Sequence, residues 1–307
     1  MTRFLAVLAL ALALPKGTPP VSLRTQVVML GTGTPIPDPD RSGPAVAVVV
    51  DGVAYLFDAG AGVVRRASAA GRAGVEAFAP ERPGAQPSPR FEAIFITHLH
   101  SDHTLGLADA IFTPWIQGRE APVDVYGPPG IARLVSSILD GNAADIRERT
   151  SAPAGPSKDG WRARAHEVQP GEIFRDERIA VRAFPVPHSQ WPYAYGFRID
   201  TPDRSIVISG DTREFDAVAE ACDGCDVLVH EVISDTAFRA YPPERQAYHA
   251  AAHTLASQVG RVATKGRAAL LILTHVIAGG APDEVILGEV RSTFAGRVVL
   301  AKDLDVF

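Results

Sequence analysis

The chain has 307 residues, 46% hydrophobic and 21% charged, enough for a well-buried core in one large α/β domain. Its 35 acidic and 30 basic residues leave a net charge of −5. Lys and Arg gather in no block, so the sequence offers no basic surface for a polyanion, and small substrates are expected.

At the N-terminus, Arg3 precedes an apolar run from Phe4 to Leu14 that is too short to span a bilayer. Ala11-Leu12-Ala13 offers a cleavage site, and PKGTPP argues against continued structure. Residues 1–20 therefore read as an export signal, placing the mature chain, 21–307, in the periplasm or outside the cell, with no membrane contact after cleavage. Short apolar runs follow: TQVVMLGTG, AVAVVVDGVAYLFDAG and FEAIFITH, then VDVYGP, IAVRAFPVPH, YAYGFRID, SIVISGDT, DVLVHE and ALLILTH. Their length and β-branched content predict strands, and Asp51-Gly52 marks a hairpin. Helices are expected at about 62–72, 103–117, 129–140, 214–221, 251–264 and 282–293, and loops at 79–90 and 150–160. The pattern predicts an α/β sandwich of two mixed sheets with helices outside, in one domain. The two cysteines, Cys222 and Cys225, are too few for a four-thiolate zinc site. A local disulfide and two buried thiols both remain open.

The stretch ITHLHSDH concentrates His98, His100, Asp102 and His103 behind an apolar strand. Side chains two apart on an extended segment point the same way, so His98 and His100 can bind one metal. Asp102 and His103 open the next helix and face a second position. Further donors stand just past predicted strands: His188, Asp211, His230 and His275. Such groups are costly to bury unless something binds them. Imidazole with carboxylate points to zinc, with iron or manganese as alternatives.

Together these motifs resemble the metallo-β-lactamase-fold hydrolases. THLHSDH matches their H-x-H-x-D-H motif, PVPH the third histidine, SGDT the bridging aspartate and LTH the last histidine; MLGTGTPIP and FDAGAG match in order and spacing. The resemblance spans about residues 25 to 280 and implies an αβ/βα four-layer sandwich of two mixed β-sheets flanked by helices, with two Zn2+ in its cleft. It assigns His98, His100 and His188 to one metal and Asp102, His103 and His275 to the other, with Asp211 bridging.

Within that fold the motif order is similar to transfer-RNA 3′-processing nucleases and their arylsulfatase and phosphodiesterase relatives. Here VHE (His230-Glu231) and HTLASQVGRVA from His253 carry the likeness. DAGAGVVRR departs from the nucleases' corresponding segment, and residues 127–170 hold no Gly/basic arm for gripping transfer RNA. With the export signal, these departures favour a small sulfate or phosphate ester as substrate, with no nucleic acid. A lactonase or other carboxylic-ester hydrolase is the alternative, and the transfer-RNA nuclease comes third. In the expected mechanism a metal-bridging hydroxide attacks, Asp102 orients it, and His253, held by Glu231, protonates the leaving group. Trp115, Trp191, Tyr193 and Arg213 are the expected substrate contacts. Relatives of this fold are often dimers, so the resemblance allows a homodimer, but the sequence shows no interface and leaves the oligomeric state open.

Overall fold

The computed structural model describes residues 24–80 and 89–307; the leader expected at 1–20 lies outside them. In β1 (Thr25–Gly31), Val27 and Met29 join one apolar cluster while Val28 and Leu30 join another, and all four are buried. A strand buried on both faces needs a packed layer on each side. The whole molecule follows that plan.

The first sheet orders β1, β2 (Ala45–Val50), β3 (Val53–Phe57), β4 (Ala93–Phe95), β5 (Val123–Gly127) and β6 (Ala163–Glu167), antiparallel at first and parallel from β3 onward. The second contains β7 (Gly171–Arg175), β8 (Ala180–Pro185), β9 (Tyr195–Asp200), β10 (Ser205–Ile208), β11 (Val227–Ile233), β12 (Leu270–Ile277) and β13 (Arg297–Leu300). Its strands β7 to β10 pair antiparallel, and β10 to β13 pair parallel. Phe57, Phe95, Phe197, Ile206 and Ile272 fill the space between the sheets.

Helices cover the outer faces. The first sheet carries α1 (Val63–Arg72), α2 (Ser101–Thr104), α3 (Leu107–Ile116), α4 (Ile131–Gly141) and α5 (Ala143–Ser151). Along the second sheet's stretch of chain come α6 (Asp216–Cys222), α7 (Asp235–Ala240), α8 (Pro243–Ala252), α9 (Ala256–Lys265) and α10 (Asp283–Arg291). Of these, α6, α9 and α10 pack their apolar residues onto the outer face. The expected four-layer αβ/βα sandwich is the observed fold.

The hairpin at Asp51-Gly52 forms, with φ of 49° and 76° as a tight turn of that type requires. The expected helix at 251–264 does not run through: α8 stops at Ala252, and His253 is extended, with φ −132° and ψ 162°. That break turns His253 off the helix surface. Cys222 and Cys225 are disulfide-bonded, closing the turn between α6 and β11. Among the described residues no helix is long and apolar enough to cross a membrane.

Candidate metal centre

Donors collect where strands of both sheets end. The segment after β4 carries His98 and His100, α2 carries Asp102 and His103, and His188 and Asp211 follow β8 and β10. β11 carries Glu231 and β12 carries His275. The β11–β12 register slips between Glu231 and Val232, so His275 is an unpaired extra residue with φ 44°. This bulge re-aims the imidazole.

The turn after β3 presses against α2. Gly106 N–H donates to Ala59 O and Ala59 N–H to His103 O, each at 2.8 Å. A Cβ on Gly106 would stand 2.2 Å from Gly60 O, so only glycine permits the approach. Asp58 thereby reaches both neighbouring donors. It accepts from His103 Nδ1–H and from Thr97 N–H, each at 2.8 Å. Thr97 Oγ1–H donates to Asp58 Oδ2 at 2.9 Å and accepts from His98 Nδ1–H at 3.0 Å. His188 Nδ1–H donates to Ala252 O at 2.8 Å. With Nδ1 occupied in all three rings, each Nε2 is turned to the cleft.

Two donor groups result. Around His100 Nδ1, His98 Nε2 lies at 3.0 Å and His188 Nε2 at 3.1 Å. In the second group, Asp102 Oδ2 is 3.5 Å from His103 Nε2 and 3.3 Å from His275 Nε2. Asp211 Oδ2 joins them, at 3.5 Å from His103 Nε2, 3.3 Å from His275 Nε2 and 4.0 Å from His188 Nε2. Such groups have their ligand atoms within 4.8 Å of one another. His103 Nε2 and His275 Nδ1 are buried without a hydrogen-bond partner. The orphaned His103 Nε2, which faces the carboxylates, and the imidazole–carboxylate donor set fit two zinc ions.

The groups differ in charge. Burial holds His98 well below the usual histidine range and also lowers His100 and His188. Burial pulls His103 and His275 down too, but Asp211, with Asp58 at His103 and Asp102 at His275, overcomes it and raises both. Asp211 is held well below the carboxylate range because His275 and His103 outweigh its own burial.

Glu231 accepts from Thr254 N–H at 2.9 Å and Thr212 N–H at 3.3 Å, and its Oε1 lies 3.4 Å from His253 Nδ1. Burial, then Asp211, raises its carboxyl well above the usual range, while burial lowers His253 to about 4. His230 points inward, donating Nδ1–H to Glu231 O at 2.7 Å, outside every donor group found among the described residues.

Of the four expected substrate contacts, Trp191 alone reaches the donors, edge-on to His100 with ring centroids 4.5 Å apart. Trp115 is fully buried in the core, its Nε1–H donating to Ser157 O at 2.7 Å, so it cannot meet substrate. Tyr193 and Arg213 are exposed and line no described cavity at the donors. The cavity beside the donors, about 150 Å³, is lined by His100, Asp102, Asp211, His253 and His275. Thr34 and Ile36 close one side of it and Arg245, Tyr248 and His249 another. A groove of about 530 Å³ shares Thr34, Ile36 and Asp102 and continues past Arg41 and Leu105. Sequence reasoning passed over Asp58 and Arg245, and weighed His249 only as sharing a helix face with His253. The four-residue spacing of Arg245, His249 and His253 was the available signal.

A family model described as a beta-lactamase superfamily domain matches residues 54–276. Ribonuclease Z of Mycobacterium bovis (strain BCG / Pasteur 1173P2) is 31% identical over 284 residues, covering 91% of this chain and 96% of the relative. Ribonuclease Z of Mycobacterium marinum (strain ATCC BAA-535 / M) is 32% identical over 286 residues, covering 91% and 96%. The human tRNase Z short-form structure superposes with a TM-score of 0.66 at 23% identity, covering 92% of this chain and 98% of that one, and speaks to the fold alone. The ribonucleases overturn two expectations: small sulfate or phosphate esters as substrate, with a lactonase as the alternative, and the exclusion of nucleic acid. Overall charge misled because a cleft selects substrates through its rim, which net charge does not report. The missing basic run at 127–170 misled similarly, since α4, α5 and the following loop bear exposed Arg133, Arg147, Lys158 and Arg162 without forming a block. Periplasmic or secreted placement falls with them, because RNA, for which these relatives are named, is held inside cells.

Proposed function

This chain belongs to the β-lactamase superfamily, whose fold here serves a metal-dependent hydrolase, and from that premise we propose that it is a ribonuclease cutting phosphodiester bonds of transfer-RNA precursors. The reading treats residues 21–307 as one catalytic domain. The observation that carries it is Asp211, a carboxylate common to both donor groups, in a chain 31% identical to a ribonuclease Z over 91% of its length.

His98, His100 and His188 would hold one zinc, Asp102, His103 and His275 the other, and Asp211 both. When bound, the metals supply Lewis acidity that lowers the pKa of water and neutralises phosphoryl charge. Asp102 accepts a hydrogen bond from the attacking water and so orients it. Asp58 and Thr97 keep the His103 and His98 rings from turning. His253 faces the same cavity and delivers a proton to the leaving oxygen, its other nitrogen 3.4 Å from Glu231. An anionic phosphodiester in the cavity favours the imidazolium that burial alone suppresses.

The test is incubation of purified zinc-loaded protein with a 3′-extended transfer-RNA precursor. A discrete cut that chelation abolishes and zinc restores is expected. Intact RNA after incubation with protein holding two metals would overturn the reading.

A further inference from the structure

α8 runs beside the donor cavity and sets Arg245, Tyr248 and His249 into its wall. Arg245 is the one arginine or lysine of that lining. Its side chain is held on two sides. The guanidinium carbon lies 4.0 Å from the centroid of the Tyr241 ring, and Arg245 Nε–H donates to His249 Nε2 at 3.4 Å. His249 is itself stacked on Tyr241, with centroids 5.2 Å apart. His249 is a buried residue, and its Nδ1 is buried with no hydrogen-bond partner. Nε2, accepting from arginine, fixes the proton on Nδ1. No carboxylate is paired with Arg245 among the described residues. A guanidinium oriented by an aromatic face and an imidazole, beside a cavity and without an acidic partner, is arranged for an oxyanion.

We propose that Arg245 binds a phosphate of the RNA next to the one being cut, with Tyr241 and His249 as its positioning residues. This rests on the ribonuclease reading above. The contact adds a grip to the rim that is independent of base identity, because every nucleotide carries the same phosphate.

Two measurements test the contact separately from the chemistry. The first is steady-state cleavage of the 3′-extended precursor by zinc-loaded wild type, Arg245→Ala and Arg245→Lys. Arg245→Ala should lower kcat/KM roughly tenfold, mostly through KM, as expected for one lost charge-assisted hydrogen bond. Arg245→Lys, which keeps the charge, should recover part of the loss. Arg297→Ala, at the far end of the β12–β13 ladder, is the control.

The second is fluorescence-anisotropy binding of the same RNA to chelated protein across a salt series. One lost phosphate contact should flatten the slope of log affinity against log salt by roughly 0.7. If wild type cuts the RNA while Arg245→Ala matches it in both KM and salt slope, the phosphate contact is overturned and the ribonuclease reading stands. If wild type binds with the Arg245-dependent slope but does not cut, the contact stands and the chemistry is wrong. Wild type that neither binds nor cuts overturns both.

Discussion

The two halves of the donor cleft differ in whether a carboxylate stands among the imidazoles, and they behave as opposites. Around His100, three imidazoles converge without a carboxylate of their own, and burial keeps them low in pKa. Around His103 and His275, carboxylates from Asp58, Asp102 and Asp211 overcome burial and raise the imidazoles. The first half therefore offers lone pairs directly, whereas a metal entering the second must displace protons. The lesson is that carboxylates, Asp102 and Asp211 among the donors and Asp58 behind His103, set the character of each half.

Removing the group common to both halves should have the largest effect. Asp211→Ala is expected to lower cleavage roughly 10³-fold or more and to reduce bound zinc, measured by elemental analysis of dialysed protein. Retention of two zinc ions with undiminished rate would show the halves to be independent. His98→Ala and His275→Ala, compared side by side, should each leave one half competent and about one zinc per chain. A sharper probe is Asp58→Asn, which keeps an oxygen for His103 and removes the charge. Affinity for one zinc should weaken about 10- to 100-fold in a competitive chelator titration, the other staying unchanged.

The smallest effect lies outside both halves. Burial lowers His230 to about 4. As pH falls below the unfolded value near 6.5, the unfolded chain takes up that proton first, so stability is lost between about 6.5 and 4. His230→Gln should remove roughly 1.4 kcal/mol per pH unit of that loss, read from urea unfolding of chelated protein at pH 7 and 5. An unchanged slope would mean that His230 is not protonated on unfolding.

The sequence made the donors legible because each follows an apolar strand, and strands buried on both faces announce themselves by long β-branched runs such as those of β1, β2 and β12. The elements passed over lack that signature. β6 and β7 alternate half-buried and exposed residues, ARAHE and GEIFR, and owe their extension to pairing with β5 and β8. α8, PERQAYHAAA, buries little beyond His249 and Ala252, so no apolar stripe marks it, and Arg245 escaped notice with it. Trp115 misled for the opposite reason, since an aromatic on the helix after the motif served the core. Asp58 was hidden by distance: it and His103 lie 45 positions apart in the chain and meet through the close approach at Gly106.

The bulge at His275 carries a consequence for how this fold ages. Deleting that one residue would let β12 pair with β11 without interruption and would relieve a left-handed backbone that non-glycine residues adopt at a cost of about 1 kcal/mol or more. The same deletion would take away a donor to the second metal. Selection for a sturdier sheet and selection for catalysis thus pull on a single codon in opposite directions, and only the second can keep it.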